Sequence, residues 1–443
     1  MPRTTQIFCA SSLYGLATLA AAIESDCFAE AARRVLLVCN DAAAPEAAPD
    51  LGELPGFAPL RDHFDDVLSW NETIRPFHPV AWTPRPEDVP LLERHLRLLW
   101  GLGDDRVELV VESLQAPPAL TVAQLFTGAP VHVYAGGLSG YGPTHRKLDP
   151  LVGTRVRQLL HLDLVPGLTP VLLSEFGVPA RVVPTDAFLK AVEELAESAG
   201  ELPALPRDAA LLVGQNLSAP GALSPAEEAD LHLRMVRAAA GGGHRTLVLT
   251  PHPSAPAHRG RALATEAGKL GVDLTVVDVP VPAEVLFARI RPALVVGCSS
   301  TALFTASAFY GLPVARVGTE RLLERLTPYQ HGHRIPAVLA DALLPDPAPG
   351  GDGDALPAGE LNDLVAALCF TMRPQVYPPL RPVAERYLAR HLGPRTRRYF
   401  RRKRLTSLGL PGGIPRRLAF LPRNSTARRV VRRARALKKA VRG

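Results

Sequence analysis

A run of hydroxyls, Gly297-Cys298-Ser299-Ser300-Thr301, follows the apolar stretch 293–296 and precedes a segment with helical character, 301–310. Upstream, Thr250-Pro251-His252-Pro253 follows a second apolar stretch, 246–249. Hydroxyls and unpaired N–H groups at a helix start form an anion site, most often for phosphate. A histidine beside them can donate to a phosphate or protonate it as it leaves. The pattern points to a phosphate-bearing ligand, a nucleotide. Two plainer accounts stand beside it. Ser and Thr cap helices in general, and His-Pro also occurs in turns. Capping accounts well for one of the three hydroxyls and less well for the others.

Other positions add to this chemistry. Glu284 opens a helix after a strand, where a carboxylate can accept from ribose hydroxyls; a first-turn Glu also simply suits the helix dipole. Glu112 follows the apolar run 109–111, the place for a general base at a strand end; a surface carboxylate is the plain alternative. The glycine-rich stretch 136–143, with Gly136, Gly137 and Tyr141, permits close backbone approach to a ligand or forms a surface loop. It lacks the Gly-Lys-Ser/Thr ending of a phosphate loop. Asp352-Gly353-Asp354 spells a metal-binding triplet but lies in a low-complexity stretch. His331-Gly332-His333 has no evident third ligand. No metal site is expected.

These positions need strand ends to hold them. Strands are predicted at 6–10, 35–39, 109–111 and 131–134, with helices at 13–23, 89–99 and 122–126. A second series reads as strands at 210–214, 246–250, 274–277 and 294–296. Helices at 225–240, 257–270 and 282–288 lie between them, with 301–310 after the last. Alternation of this kind makes parallel βαβ units. A polar, proline-containing segment, 193–207, reads as a linker. The expected fold is α/β and GT-B-type: two Rossmann-like domains with a cleft between them, plus a basic C-terminal tail. The divisions are 1–205 for the acceptor domain and 206–345 for the nucleotide-sugar domain. A flexible loop at 345–359, closing helices at 360–394 and the basic tail at 395–443 complete the chain.

A chain of 443 residues, 47% apolar, is long enough for two cores. Its five scattered cysteines suit a reducing compartment and match no metal spacing. No stretch is long and pure enough to cross a membrane. The apolar N-terminus reads as a first strand and helix rather than a signal peptide, because Ser11-Ser12 breaks it. The net charge of +7 conceals an asymmetry. Residues 395–443 hold 18 Lys or Arg and no acid, leaving 1–394 at −11.

Together these segments resemble the bacterial alpha-2,8-polysialyltransferase family, related to the GT-B sialyltransferases. The resemblance covers most of residues 6–345. It is carried by QIFCASSLYG (6–15), VVESLQ (110–115), VHVYAGGLSGYGPT (131–144), GQNLS (214–218), TPHPSAP (250–256), VGCSSTAL (296–303) and LTPYQHGHRIP (326–336). It implies transfer of sialic acid from CMP-sialic acid to a glycan acceptor, with inversion and without a metal or cofactor. The family's His-Pro motif matches His252-Pro253 and implies contact with the CMP phosphate and general-acid help. Its Ser/Thr motif matches Ser299-Ser300, with Thr301 beside them, and also implies phosphate binding. Gln215 and the glycine-rich stretch fall at the acceptor cleft. The family carries an acidic residue, the expected base, where this chain has Gly136 before Gly137. Loss of a general base costs about 10²–10⁴-fold in rate. Three accounts remain: Glu112 serves as base, the acceptor is unusual, or the protein binds without catalysing.

Within the tail, Val430, Ala434, Leu437 and Val441 fall on one helical stripe among basic residues. That pattern suits a helix lying on an anionic membrane. The expectation is a cytoplasmic protein held at the inner face of a bacterial plasma membrane; a disordered solubilising tail is the plain alternative, and nucleic-acid binding, which rests on the tail alone, is the least favoured account. The competing readings are a transferase using another nucleotide-sugar donor and a non-catalytic nucleotide- or glycan-binding protein on the same scaffold.

Overall fold

The computed structural model describes residues 3–200, 205–206, 209–252, 255–277, 279–347 and 356–414. The first domain is a seven-stranded parallel sheet ordered β3-β2-β1-β4-β5-β6-β7. Its strands are β1 (Thr4–Ala10), β2 (Arg33–Val38), β3 (Asp66–Ser69), β4 (Arg106–Val111), β5 (Val131–Tyr134), β6 (Val156–Leu162) and β7 (Ala180–Val183). The second is a five-stranded parallel sheet ordered β10-β9-β8-β11-β12. It comprises β8 (Ala210–Val213), β9 (Thr246–Thr250), β10 (Asp273–Val276), β11 (Leu294–Gly297) and β12 (Val314–Arg316). In both sheets the strand order reverses beside the first strand, between β1 and β4 and between β8 and β11. Two Rossmann-like domains face one cleft, the GT-B arrangement expected.

The apolar N-terminus is β1 and the helix Leu13–Glu24. Ser12 caps that helix by accepting from the Gly15 N–H. The helix is apolar nearly all round because it is buried nearly all round. One buried cluster runs from Phe8 and Leu16 through Phe188 to Leu211 and Leu286, so the domains share a core. The outer face of the first sheet has its own core, built on Ile7, Trp70, Trp100 and Leu109.

Strands β3, β6, β7 and β12 went unpredicted. β3 and β12 are very short, β7 is an exposed edge strand, and polar residues interrupt β6. The expected linker 193–207 begins instead as the end of the helix Thr185–Ser198. Its buried face, Phe188, Val192 and Leu195, joins the shared core, and Arg289 of the second domain donates to Ala196 O. Residues 201–204 and 207–208 lie outside the described residues.

The C-terminal helices return to the first domain. From the helix Ala358–Met372, Asn362 donates to Gly167 O at 2.7 Å and accepts from Thr169 N at 3.1 Å. Tyr377 OH donates to Glu175 Oε2 at 2.8 Å. The tail departs from expectation at its start: residues 395–414 are folded. Tyr399 OH and Arg398 both bond the buried Asp341 carboxylate at 2.8 Å, and Arg316 meets the same carboxylate at 3.3 Å. A buried carboxylate needs such partners, and here the basic segment supplies two of them. The stripe 428–442 and the triplet Asp352-Gly353-Asp354 lie outside the described residues. The expected loop 345–359 is anchored at its start, where Arg316 bonds Asp346 at 3.1 Å. All five cysteines are buried and unpaired. Among the described residues no helix is long and apolar enough to cross a membrane.

Candidate functional site

Open α/β sheets bind ligands outside the carboxyl ends of their strands, at the point where strand order reverses. Here two such points share one cleft. Ser11 and Glu112 follow β1 and β4; Gly214 and the Cys298–Ser300 turn follow β8 and β11. A cavity of about 340 Å³ is lined by Ser11 from the first domain and by Gly214 and Ser300 from the second. A second, of about 270 Å³, opens on the first-domain side. Ser11 and Gly136 line both cavities and mark their junction.

The larger cavity carries the hydroxyls. Ser300 caps the ten-residue helix Thr301–Tyr310, its Oγ accepting from the Ala302 N–H. The helix dipole places partial positive charge at that end. Ser300 and Thr301 line the cavity, while Ser299 lies behind its wall. The Ser299 N–H donates to Gln215 Oε1 at 2.9 Å, tying the turn after β11 to the loop after β8. Gln215 thus braces the site from beneath rather than lining this cavity. Thr301 also receives a bond from Leu138 N across the cleft, and a Cβ at Gly137, whose φ is +111°, would collide with Thr301 Oγ1. Glycine at 137 therefore serves the close approach of the two domains.

His252 lines the same cavity, directly after β9. The residue is exposed as a whole, yet burial against the surrounding protein lowers the imidazole pKa, against the pull of Glu228 and Asp41. Pro253 lies outside the described residues. Glu284 lines the cavity but is almost fully buried, and Thr305 donates to its Oε1 at 2.6 Å. Burial raises its carboxyl pKa, and the Thr305 bond opposes the rise.

The smaller cavity carries carboxylates. Glu112 and Asp41, which follows β2, both line it. Ser11 Oγ donates to Glu112 Oε2 at 2.9 Å. Burial raises the Glu112 pKa above the usual carboxylate value; the Ser11 bond works against this and Asp41 adds to it. Burial likewise raises Asp41, while His252 and His78 oppose. The Glu112 carboxylate fills the space beside Gly136: a Cβ built there would collide with its Oε1.

Tyr141 is not at the cleft. It is 2% exposed, and its hydroxyl donates to Leu162 O and accepts from Val165 N inside the core. An aromatic with a polar tip suits that place as well as a binding site. Several contributors escaped the sequence reading. Asp41 and Ser11 follow apolar strands just as Glu112 does, and the same strand-end signal was there to be read. Glu228, only 1% exposed, accepts from Leu217 N, from Ser218 Oγ and from Arg259 at 2.6 Å, and so fixes the GQNLS loop. It sits in the first turn of the helix Pro225–Gly241 beside Glu227, where an acidic residue reads as an ordinary partner of the helix dipole. The His331 and His333 rings stack 5.4 Å apart. Burial, then the neighbouring histidines His331, His145 and His252, lowers His333 to about 4. Among the described residues no cluster of His, Cys, Asp or Glu is arranged to hold a metal ion.

The family model described as Alpha-2,8-polysialyltransferase (POLYST) matches residues 6–319. A search of curated proteins finds no match. Among solved structures, MurG of Acinetobacter baumannii is similar at 13% identity, over 89% of this chain and 97% of that one, with a TM-score of 0.38. Glycyrrhiza uralensis UGT73P12, complexed with glycyrrhetinic acid 3-O-monoglucuronide, is similar at 11% identity, over 90% and 94%, with a TM-score of 0.42. Phytolacca americana UGT2, complexed with UDP-2fluoro-glucose and pterostilbene, is similar at 13% identity, over 92% and 99%, with a TM-score of 0.39.

Proposed function

The chain belongs to the alpha-2,8-polysialyltransferase family, and from that premise we propose that this glycosyltransferase moves sialic acid from CMP-sialic acid to a glycan hydroxyl, with inversion, using Glu112 as base. One observation carries the reading: the Glu112 carboxylate occupies the place that an acidic side chain at Gly136 would need. β4 and β5 are neighbours in register, with Val111 beside Val133. An acid at the end of either strand reaches the same point. The catalytic carboxylate has moved one strand sideways and has not been lost.

The nucleotide takes the larger cavity. Its phosphate lies at the start of the helix Thr301–Tyr310, where Ser300 and the helix dipole stabilise negative charge. The acceptor hydroxyl enters from the smaller cavity. Its oxygen bonds to the anomeric carbon of the sialic acid, its proton passes to Glu112, and the bond from that carbon to the phosphate oxygen breaks with its electrons leaving on CMP. Charge grows on the phosphate as the bond breaks. His252 donates to it, and an arriving phosphate raises the imidazole pKa that burial has lowered. The charge that develops is met by hydroxyls, a helix end and an imidazole, and this mechanism assigns no step to a metal or cofactor.

Thermal stability with CMP, UDP, GDP and AMP tests the donor assignment, because a ligand that binds the native state stabilises it by mass action. Stabilisation by CMP that His252→Ala removes is the expected result; stabilisation by a different nucleotide instead would replace the donor. The basic C-terminus holds the enzyme on an anionic membrane at the inner face of the cell envelope, near the glycans it modifies. Because 395–414 is folded onto the domains, the chain should be cut after Ile414 to test this. Equal co-sedimentation of cut and full-length protein with anionic vesicles would discard the membrane role.

A further inference from the structure

The helix before β4, Val89–Leu99, is apolar on two sides. Its inner side, with Leu92 and Leu96, packs on the outer core of the first sheet. That contact accounts for one apolar face, and the opposite face of such a helix is normally polar. Here Leu91, Leu98 and Leu99 stand on it, each more than half exposed, Leu98 at 74%. Leu91 and Leu98 are two turns apart and share one stripe. The loop that leads into the helix adds Phe77 and Val80, both exposed, and Phe77 stacks on Trp82, which packs on the same core. Among the described residues these are five of the nine large apolar side chains that are exposed, and all five fall within residues 77–99. A concentration of that kind marks a surface that something other than water covers.

The polar residues of that face identify the cover. Arg94 and His95 are exposed between Leu91 and Leu98. The one acid of the helix, Glu93, is half-buried and held by Arg97 at 3.1 Å. Leucines with basic side chains among them, and no acid, complement anionic lipid headgroups over an apolar boundary. The face is a basic exception on a body whose residues 1–394 carry −11. A second copy fits it poorly, because a two-fold contact centred on the stripe would bring Arg94 against its own like charge. The face also adjoins the cleft. Trp82 O accepts from Thr121 Oγ1 at 3.3 Å, and the helix that holds Thr121, Ala119–Leu125, starts at the wall of the smaller cavity. We propose that Phe77, Val80, Leu91, Leu98 and Leu99, with Arg94, dock the first domain on an anionic lipid surface, with the acceptor side of the cleft beside it. The inference rests on the reading of the protein as membrane-held and assigns the contact to the folded first domain as well as to the basic tail.

The test sediments the full-length protein with phosphatidylcholine vesicles, pure or mixed with phosphatidylglycerol, at low and high salt. Salt screens the attraction of a basic tail and leaves apolar burial in place. Binding to the mixed vesicles is expected to keep a salt-resistant part, which Leu91→Ser combined with Leu98→Ser lowers by about tenfold for each leucine. Both leucines are exposed, so this variant is expected to keep its melting temperature and its stabilisation by CMP. The chain's three tryptophans, Trp70, Trp82 and Trp100, all lie beneath this face. Lipids brominated along the acyl chain are therefore expected to quench the native fluorescence, and the variant to lose that quenching. Arg94→Glu is expected to weaken binding to the mixed vesicles alone. Binding that high salt abolishes, without quenching and unchanged in the leucine variant, overturns the inference and leaves the tail as the anchor. Binding to no vesicle sinks the membrane reading and the inference with it. Dimerisation that the leucine variant abolishes, with lipid binding unchanged, gives the face to a second copy and likewise overturns it.

Discussion

The two sheet edges that face the cleft have the same topology and opposite chemistry. Each presents the loops of a strand-order reversal, β1/β4 in one domain and β8/β11 in the other. The first edge carries carboxylates, Asp41 and Glu112, steadied by Ser11. The second carries Ser300, Thr301 and a helix start, with His252 one strand away. A fold supplies the edge, and the residues placed there decide what it binds. A carboxylate accepts a proton from a hydroxyl, and a helix N-terminus stabilises negative charge. The pairing separates the two halves of a group transfer, with proton removal on one side and departure of an anion on the other.

The comparison breaks most sharply at Glu112. Glu112→Gln is expected to lower transfer by about 10²–10⁴-fold, the cost of losing a general base, with stabilisation by CMP unchanged. Unchanged turnover would remove Glu112 from the reaction. The swap is sharper still: Glu112→Ala combined with Gly136→Glu restores the acid one strand over and is expected to recover part of the loss. Gly136→Glu alone is expected to fail, because two carboxylates would compete for one space. On the opposite edge, His252→Ala is expected to weaken CMP binding by about 10–100-fold, the range for a hydrogen bond to a charged group, and to slow transfer. Ser300→Ala is a smaller change. It removes a helix cap, about 1 kcal/mol of stability by thermal or denaturant unfolding, and reduces CMP affinity by about tenfold or less.

The smallest expected effect is in pH. Because burial and Asp41 both raise the Glu112 pKa, the acid limb of kcat/KM should lie above the ordinary glutamate value of about 4.3. Activity is lost as pH falls through that raised value, since the protonated acid cannot take a proton. Asp41→Asn removes the like charge and should move the limb to lower pH. A limb that stays in place would show that burial alone sets it.

Much of this was legible before any coordinates. The apolar runs marked β1, β4, β8, β9 and β11, and the residue types that follow them marked the chemistry, because a strand end is a local property of the chain. The helices Val89–Leu99 and Thr301–Tyr310 have the predicted bounds. The strand Thr246–Thr250 does as well. Tyr141 misled because a core tyrosine and a cleft tyrosine read alike in sequence. The linker misled because its polar composition hid the buried face of Thr185–Ser198. The tail misled because its charge density gave no hint that Asp341, distant in sequence, holds its first turn.

What the sequence determined by itself was the class of fold, the strand ends and the residue types placed at them. Periodicity and local residue chemistry are enough for that. Only the tertiary structure decided that Glu112 fills the space beside Gly136, that Asp41 shares its cavity, and that Ser299 lies behind the wall that Ser300 lines. The first two are facts of adjacency between strands of one sheet that are apart in sequence, fixed by strand order and register; the third is fixed by how the turn after β11 is held against the loop after β8.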